Sequence, residues 1–285
     1  MIQVAAITDE FSPELTTALD AMQDLDIKGV ELRIVDGRNI VEFSNAELDR
    51  VRETVEGRGM TILSIASPLL KCVLPNAPPV DDRLQHDVFG SAYTIDDQPR
   101  LAERAFEAAT RTGAGIVRVF SYWRTTDPAA CLERVVAALK DLTRQADATG
   151  VNIGVENEAA CNIGTGAELG ALLSALDHPR VTGIWDPANA LLLQEKAYPD
   201  GYRKLPIRRI GHVHAKDCVV HGHTPTWGPV GEMAVGWREQ MDALTRDGYR
   251  GWVSLETHWR GPNGNDKMEA SRICARNLIA LTSGA

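Results

Sequence analysis

Short β-branched runs alternate with longer segments of helical period from one end of the chain to the other, the pattern of βα units laid on a parallel sheet. The runs are Val4 to Thr8, Gly29 to Ile34, Thr61 to Ala66, Ile116 to Phe120, Val151 to Glu156, Val181 to Asp186, Ile210 to Ala215 and Trp252 to Glu256. Helices are expected between and after them at Pro13 to Leu25, Asn45 to Arg58, Pro99 to Thr112, Pro128 to Ala148, Ala167 to Leu176, Asn189 to Leu205, Trp237 to Arg246 and Lys267 to Leu281. Ser12 and Asp127 each stand immediately before a proline, the order of a capping side chain and a first-turn proline. Gly59, Gly113, Gly150 and Gly248 sit just ahead of the next run, where a left-handed C-cap is expected.

Eight repeats in 285 residues, without a Pro/Gly/Ser-rich linker, point to a closed (β/α)₈ barrel (a TIM barrel) forming one domain over residues 1–285. A doubly wound sheet with a small extra domain is the alternative. With 44% apolar residues the chain can fill such a core. Two connections, Ser67 to Asp97 and Lys216 to Gly236, far exceed the usual 2 to 6 residues, and long connections in compact domains are usually functional. Both are expected at the C-terminal face.

A net charge of -9 argues against nucleic-acid binding, which needs clustered Lys and Arg that this chain does not carry as a run. No apolar stretch approaches the roughly 18 residues of a membrane span, and Met1 leads directly into the strand-like IQVAAIT. A small-molecule substrate and a cytoplasmic location are therefore expected, with self-association left open. Cys72, Cys131, Cys161, Cys218 and Cys274 are odd in number and never form a C-x-x-C pair, so they are read as reduced and structural.

In a barrel, a charged residue at the last position of a strand points to the site face, whereas the interior favours branched apolar side chains. The second half of the chain has Glu156 ending VNIGVEN, Asp186 ending VTGIWDP, His214 in RIGHVHAKD and Glu256 ending GWVSLETH. Any one of these could simply cap the next helix, but four successive strands supplying ligand-type residues call for a common cause. Three carboxylates and one imidazole around a point suit a divalent cation. The oxygen-rich set favours Mn²⁺, with Mg²⁺ or Co²⁺ as alternatives, and leaves positions open for substrate.

The segments ENE, WDPANA, HVHAKD and SLETH at these spacings, with the opening ITDEFSPELTTALDAMQDLDIKGVELR and the stretch SIASPLLKC, resemble the sugar phosphate isomerase/epimerase superfamily of xylose-isomerase-like barrels. The resemblance covers the whole chain. It implies that Glu156, Asp186, His214 and Glu256 bind the metal and that Glu156 and Glu256 double as the acid/base pair. The chemistry it implies is proton abstraction α to a carbonyl of a keto-sugar or polyol through a metal-stabilised enediolate. The best-known epimerases of the superfamily carry a histidine where this chain has Asn189, and an arginine after the metal histidine with no evident counterpart here. That departure weakens a strict ketose 3-epimerase assignment, and the H-x-K-D pattern assigns substrate contact to Lys216 instead.

Further substrate contacts are expected from Asn189, Glu158, His258, Lys71 and Trp227, with Arg33 a weaker candidate. His212 is expected to face a helix on the side of the sheet opposite His214. His86, His221 and His223 fall in the long connections and are read first as solvated. Gly164-Thr165-Gly166 lacks the glycine spacing and lysine of a phosphate loop and reads as a turn before a helix. The absence of clustered Lys and Arg near the strand ends favours a non-phosphorylated substrate. A metal-dependent lyase or dehydratase acting on a 3-keto sugar, inosose or 3-oxo-glycoside would use the same ligands and is the alternative. A DNA-repair enzyme resembling endonuclease IV is a remote third, since it needs more histidines and a basic face.

Overall fold

The computed structural model describes residues 2–85 and 92–283. In chain order the main elements are β1 (Gln3–Ile7), α1 (Leu15–Gln23), β2 (Gly29–Leu32), β3 (Ile34–Val35), β4 (Arg38–Asn39), α2 (Asn45–Glu56), β5 (Thr61–Ile65), α3 (Gln98–Thr112) and β6 (Ile116–Val119). There follow α4 (Leu132–Thr149), β7 (Asn152–Glu156), α5 (Gly166–Ala175), β8 (Val181–Trp185), α6 (Pro187–Leu192), β9 (Ile210–Ala215), β10 (Asp217–His221), β11 (Thr224–Gly228), α7 (Trp237–Arg246), β12 (Trp252–Leu255) and α8 (Lys267–Ser283). Eight strands close a barrel in the order β1-β12-β9-β8-β7-β6-β5-β2, each pair parallel, with β1 also paired to β2. The expected (β/α)₈ barrel is thus the observed fold.

The helices form where their apolar stripes and caps agree. In α3, Leu101, Ala105, Phe106 and Ala109 are buried on one face. Capping boxes start α2 (Ser44 with Glu47) and α5 (Thr165 with Glu168), so Gly164-Thr165-Gly166 is a helix start, as its sequence suggests. Gly113 and Gly150 close α3 and α4 at φ 77° and 76°, a region L side chains rarely adopt.

Two local expectations are corrected, and one long connection gains structure of its own. Ser12 does not cap α1: its Oγ accepts the Glu14 N–H at 3.2 Å, and the N–H of Leu15 donates to Asp36 Oδ1 at 3.0 Å. A side chain from the β3–β4 turn has taken the capping place. The helix expected over Asn189 to Leu205 stops at Leu192, and Gln194 adopts φ 64° before a π turn at Ala197–Gly201. The connection Lys216 to Gly236 contains the antiparallel hairpin β10–β11. Asp217 anchors it, accepting the N–H groups of Gly231, Met233 and Val235 at 2.9 to 3.2 Å and so holding the returning loop against β10.

Candidate metal and substrate site

The four strand-end residues come together. One ligand atom from each of Glu156, Asp186, His214 and Glu256 lies within 4.8 Å of the other three, and all four residues are buried. They are delivered at the C-terminal ends of β7, β8, β9 and β12, consecutive neighbours in the barrel. Asn157 locks the first two: its Oδ1 accepts the Asp186 N–H at 2.8 Å, and its Nδ2 donates to the Asp186 and Gly164 carbonyls. Asp186 also caps α6, its Oδ1 accepting from the N–H of Ala188 and Asn189, which aims Oδ2 away from the helix.

His214 sits at the centre, with Nδ1 2.9 Å from Glu156 Oε1 and 3.2 Å from Glu256 Oε2. Three cationic side chains ring the cluster. Lys216 Nζ lies 2.9 Å from Asp186 Oδ2 and 3.4 Å from Glu256 Oε2. Arg33 Nη1 lies 2.8 Å from Glu256 Oε1, and Arg118 Nη1 lies 3.3 Å from Glu156 Oε2. Arg33 also grips Asp9 and Glu10. Arg118 is the residue that sequence reasoning missed; its only signal was one charge inside the branched run IVRVF.

Burial pushes Asp186 up to about 7, with Glu156 and Glu256 adding to the push and Lys216 opposing it. Burial acts the same way on Glu256, yet Lys216, His214 and Arg33 together hold it well below the usual carboxylate range. For His214 burial favours the neutral ring, but Glu156, Glu31 and Glu256 outweigh it and raise the imidazole well above its ordinary value. The donor set nevertheless fits a cation. Glu156 Oε2 and Asp186 Oδ2 are buried without a hydrogen bond, because Arg118 and Lys216 approach them outside hydrogen-bond geometry and leave their lone pairs unclaimed. A divalent ion would displace the protons of His214 and Asp186 and take up those lone pairs.

A cavity of about 110 Å³ is lined by Glu158, Asn189, Lys216 and His258, which follow the four ligands by two or three positions, and by Leu84, Ala159, Ala160, Leu192, His223, Pro225 and Trp227. Five expected substrate contacts, Lys216, Asn189, Glu158, His258 and Trp227, therefore face one space. Trp227 of β11 and His258 form a wall, their rings 4.6 Å apart and inclined by 40°. Lys71 is not part of this lining: its Nζ lies 4.5 Å from the Phe120 ring, whose neighbourhood it shares with Arg118. His223 lines the cavity, His221 is exposed, and His86 lies outside the described residues.

The expectation for His212 is overturned. Its Nε2 lies 2.8 Å from Glu31 Oε1, inside the barrel, and that same oxygen is 3.3 Å from His214 Nε2. The reason is the pleat: side chains of a strand repeat every two residues, so positions 212 and 214 share a face. All five cysteines are buried and none forms a disulfide, and burial raises the Cys72 thiol to about 11.

The xylose isomerase-like TIM barrel family matches residues 19–278, and the chain belongs to that family. Among curated proteins none matches it significantly. Among solved structures it is similar to the IOLI protein with a bound zinc atom, at TM-score 0.76 and 14% identity over 99% of both chains. It is similar to a D-psicose 3-epimerase with D-tagatose from Clostridium cellulolyticum H10, at TM-score 0.71 and 17% identity over 99% of both chains. A xylose isomerase-like TIM barrel/4-hydroxyphenylpyruvate dioxygenase fusion protein aligns at TM-score 0.73 and 21% identity over 98% of this chain, which spans 42% of the fusion. Among the described residues no helix is long and apolar enough to cross a membrane.

Proposed function

We propose that this chain is a divalent-metal-dependent isomerase or epimerase that acts on a non-phosphorylated keto-sugar or related polyol by moving a proton α to a carbonyl. The observation that carries the reading is the convergence of Glu156, Asp186, His214 and Glu256 at the strand ends that lead into the lined cavity. These four would hold the ion, Mn²⁺ by first choice. When bound, it would polarise the substrate carbonyl and make the neighbouring C–H more acidic.

Glu256 is kept ionised by Lys216, His214 and Arg33, so its Oε2 can accept the proton from carbon. Glu156, on the other side of the His214 ring nitrogen, returns it. Return to the same carbon from the opposite face inverts that centre, and return to the adjacent carbon isomerises the sugar. Lys216 Nζ and the Asn189 amide line the cavity and orient substrate hydroxyls, while the Trp227–His258 wall covers a ring face and keeps water out. Among the described residues Lys216 is the only Lys or Arg in the lining, and Asp186 already engages it, which favours an uncharged sugar over its phosphate ester.

Elimination is the second reading, favoured by the Lys216 ammonium, which can protonate a departing oxygen. Incubation with keto-sugars and Mn²⁺ in D₂O, followed by NMR, separates the two. Deuterium at an α carbon of an intact skeleton supports isomerisation or epimerisation, and release of water or an aglycone supports elimination. No exchange in a panel of keto-sugars, with the metal bound, would sink both.

A further inference from the structure

Below the four-residue cluster the barrel holds a second polar group that the proposed reaction does not use. Glu31 of β2 is fully buried where a branched apolar side chain would be expected, and burying a carboxylate is unfavourable unless its oxygens are satisfied. Two hydrogen bonds hold them: Ser64 Oγ donates to Oε2 at 2.6 Å and His212 Nε2 lies 2.8 Å from Oε1. His214 Nε2 lies 3.3 Å from the same Oε1, an ion-pair contact outside hydrogen-bond geometry. The strand pairing is adapted to this arrangement. The β2–β5 register pairs Val30 with Ile62 and then slips one residue to pair Glu31 with Ser64, a bulge that brings hydroxyl and carboxylate side by side.

The two nitrogens of His214 therefore have separate surroundings: Nδ1 faces Glu156 and Glu256, and Nε2 faces Glu31. We infer that Glu31 is a positioning residue that fixes the His214 ring with Nδ1 toward the metal cluster, and that Ser64 and His212 hold Glu31 for that purpose. A carboxylate on the far nitrogen of a ligating imidazole fixes its tautomer and orientation, and removing such a partner typically weakens metal binding ten- to a hundredfold. The inference rests on the proposed metal site.

The test is a Co²⁺ titration of the chelator-stripped full chain, followed by its visible d–d absorption, with a thermal melt of each protein. Glu31→Gln is expected to bind Co²⁺ ten- to a hundredfold more weakly, with displaced bands. Leu173→Ala, a buried change in α5, should lower the melting temperature and leave affinity and bands as in the parent, which separates positioning from general stability. A folded Glu31→Gln with parental affinity and bands overturns the inference. Should that variant not fold, Ser64→Ala decides: weakened binding supports the inference and parental binding overturns it. A parent that fails to bind Co²⁺ at millimolar concentration overturns the metal reading and this inference together, whereas a binding parent with unaffected variants overturns this inference alone.

Discussion

Arg33, just past the end of β2, reaches across β1 to place its Nη1 2.8 Å from Oε1 of Glu256, the residue that ends the last barrel strand. The same guanidinium donates from Nε and Nη2 to Asp9 and from Nη2 to Glu10, so one buried cation joins three carboxylates. It is the electrostatic clasp at the seam where the first and last strands meet.

Arg33→Met is therefore expected to destabilise the protein by about 3–5 kcal/mol, the usual effect of removing one partner from a buried ion network. Thermal unfolding reads the loss directly. A melting temperature within two degrees of the parent would remove the clasp from the account.

Asp186→Asn preserves the oxygen that caps α6 and removes the charge that Lys216 Nζ meets at 2.9 Å. The fold should persist while the first shell loses an anionic ligand, so bound metal after dialysis should fall at least about tenfold. Elemental analysis beside a circular dichroism spectrum checks both halves. Full metal occupancy in the variant would take Asp186 out of the ligand set.

Glu256→Gln retains an oxygen donor and discards the base. Turnover on the substrate found in the D₂O screen should drop by roughly 10²- to 10⁴-fold, the range general acid-base catalysis supplies, with measurable metal binding retained. Normal turnover would move the proton transfer to Glu156 or Lys216.

Glu168 provides a pH test away from the cluster. Burial raises its carboxyl, but the fork of Arg124 and the N–H groups of Gly164 and Thr165 outweigh burial and hold it below its ordinary 4.5. A depressed acid stabilises the fold above its unfolded value and loses that contribution as pH falls through the folded value. The stability gap between the parent and Glu168→Gln should accordingly be full at neutral pH and narrow below about 4.5, followed by urea midpoints from pH 7 to pH 3. A gap that widens in acid would contradict the assignment.

The barrel and the convergence of its four strand-end residues were legible because both depend on local rules: run length, period, helix caps, and the tendency of strand-end charges to face one end of the barrel. What escaped depends on register and on distant partners. Arg118 looked like a stray charge until closure set it against Glu156 and Glu256. His212 shares the inward face with His214 because positions two apart in a strand lie on one side, and only its partner Glu31, on a distant strand, gives it a role there. Asp36 displaced Ser12 at the start of α1 through a turn 21 residues away from Leu15, beyond the reach of any capping motif. The β10–β11 hairpin is short, and its anchor Asp217 uses backbone N–H groups, which carry no side-chain signature.

The order of the strands around the ring also bears on biosynthesis. Glu156, Asp186 and His214 leave the ribosome well before Glu256, and Glu256 reaches its place only when β12 enters between β1 and β9. A nascent chain lacking its last βα unit carries three of the four clustered residues and lacks the Glu256 carboxylate that Arg33 meets. The charge balance of the four-residue cluster is thus a property of the closed ring and of no shorter chain.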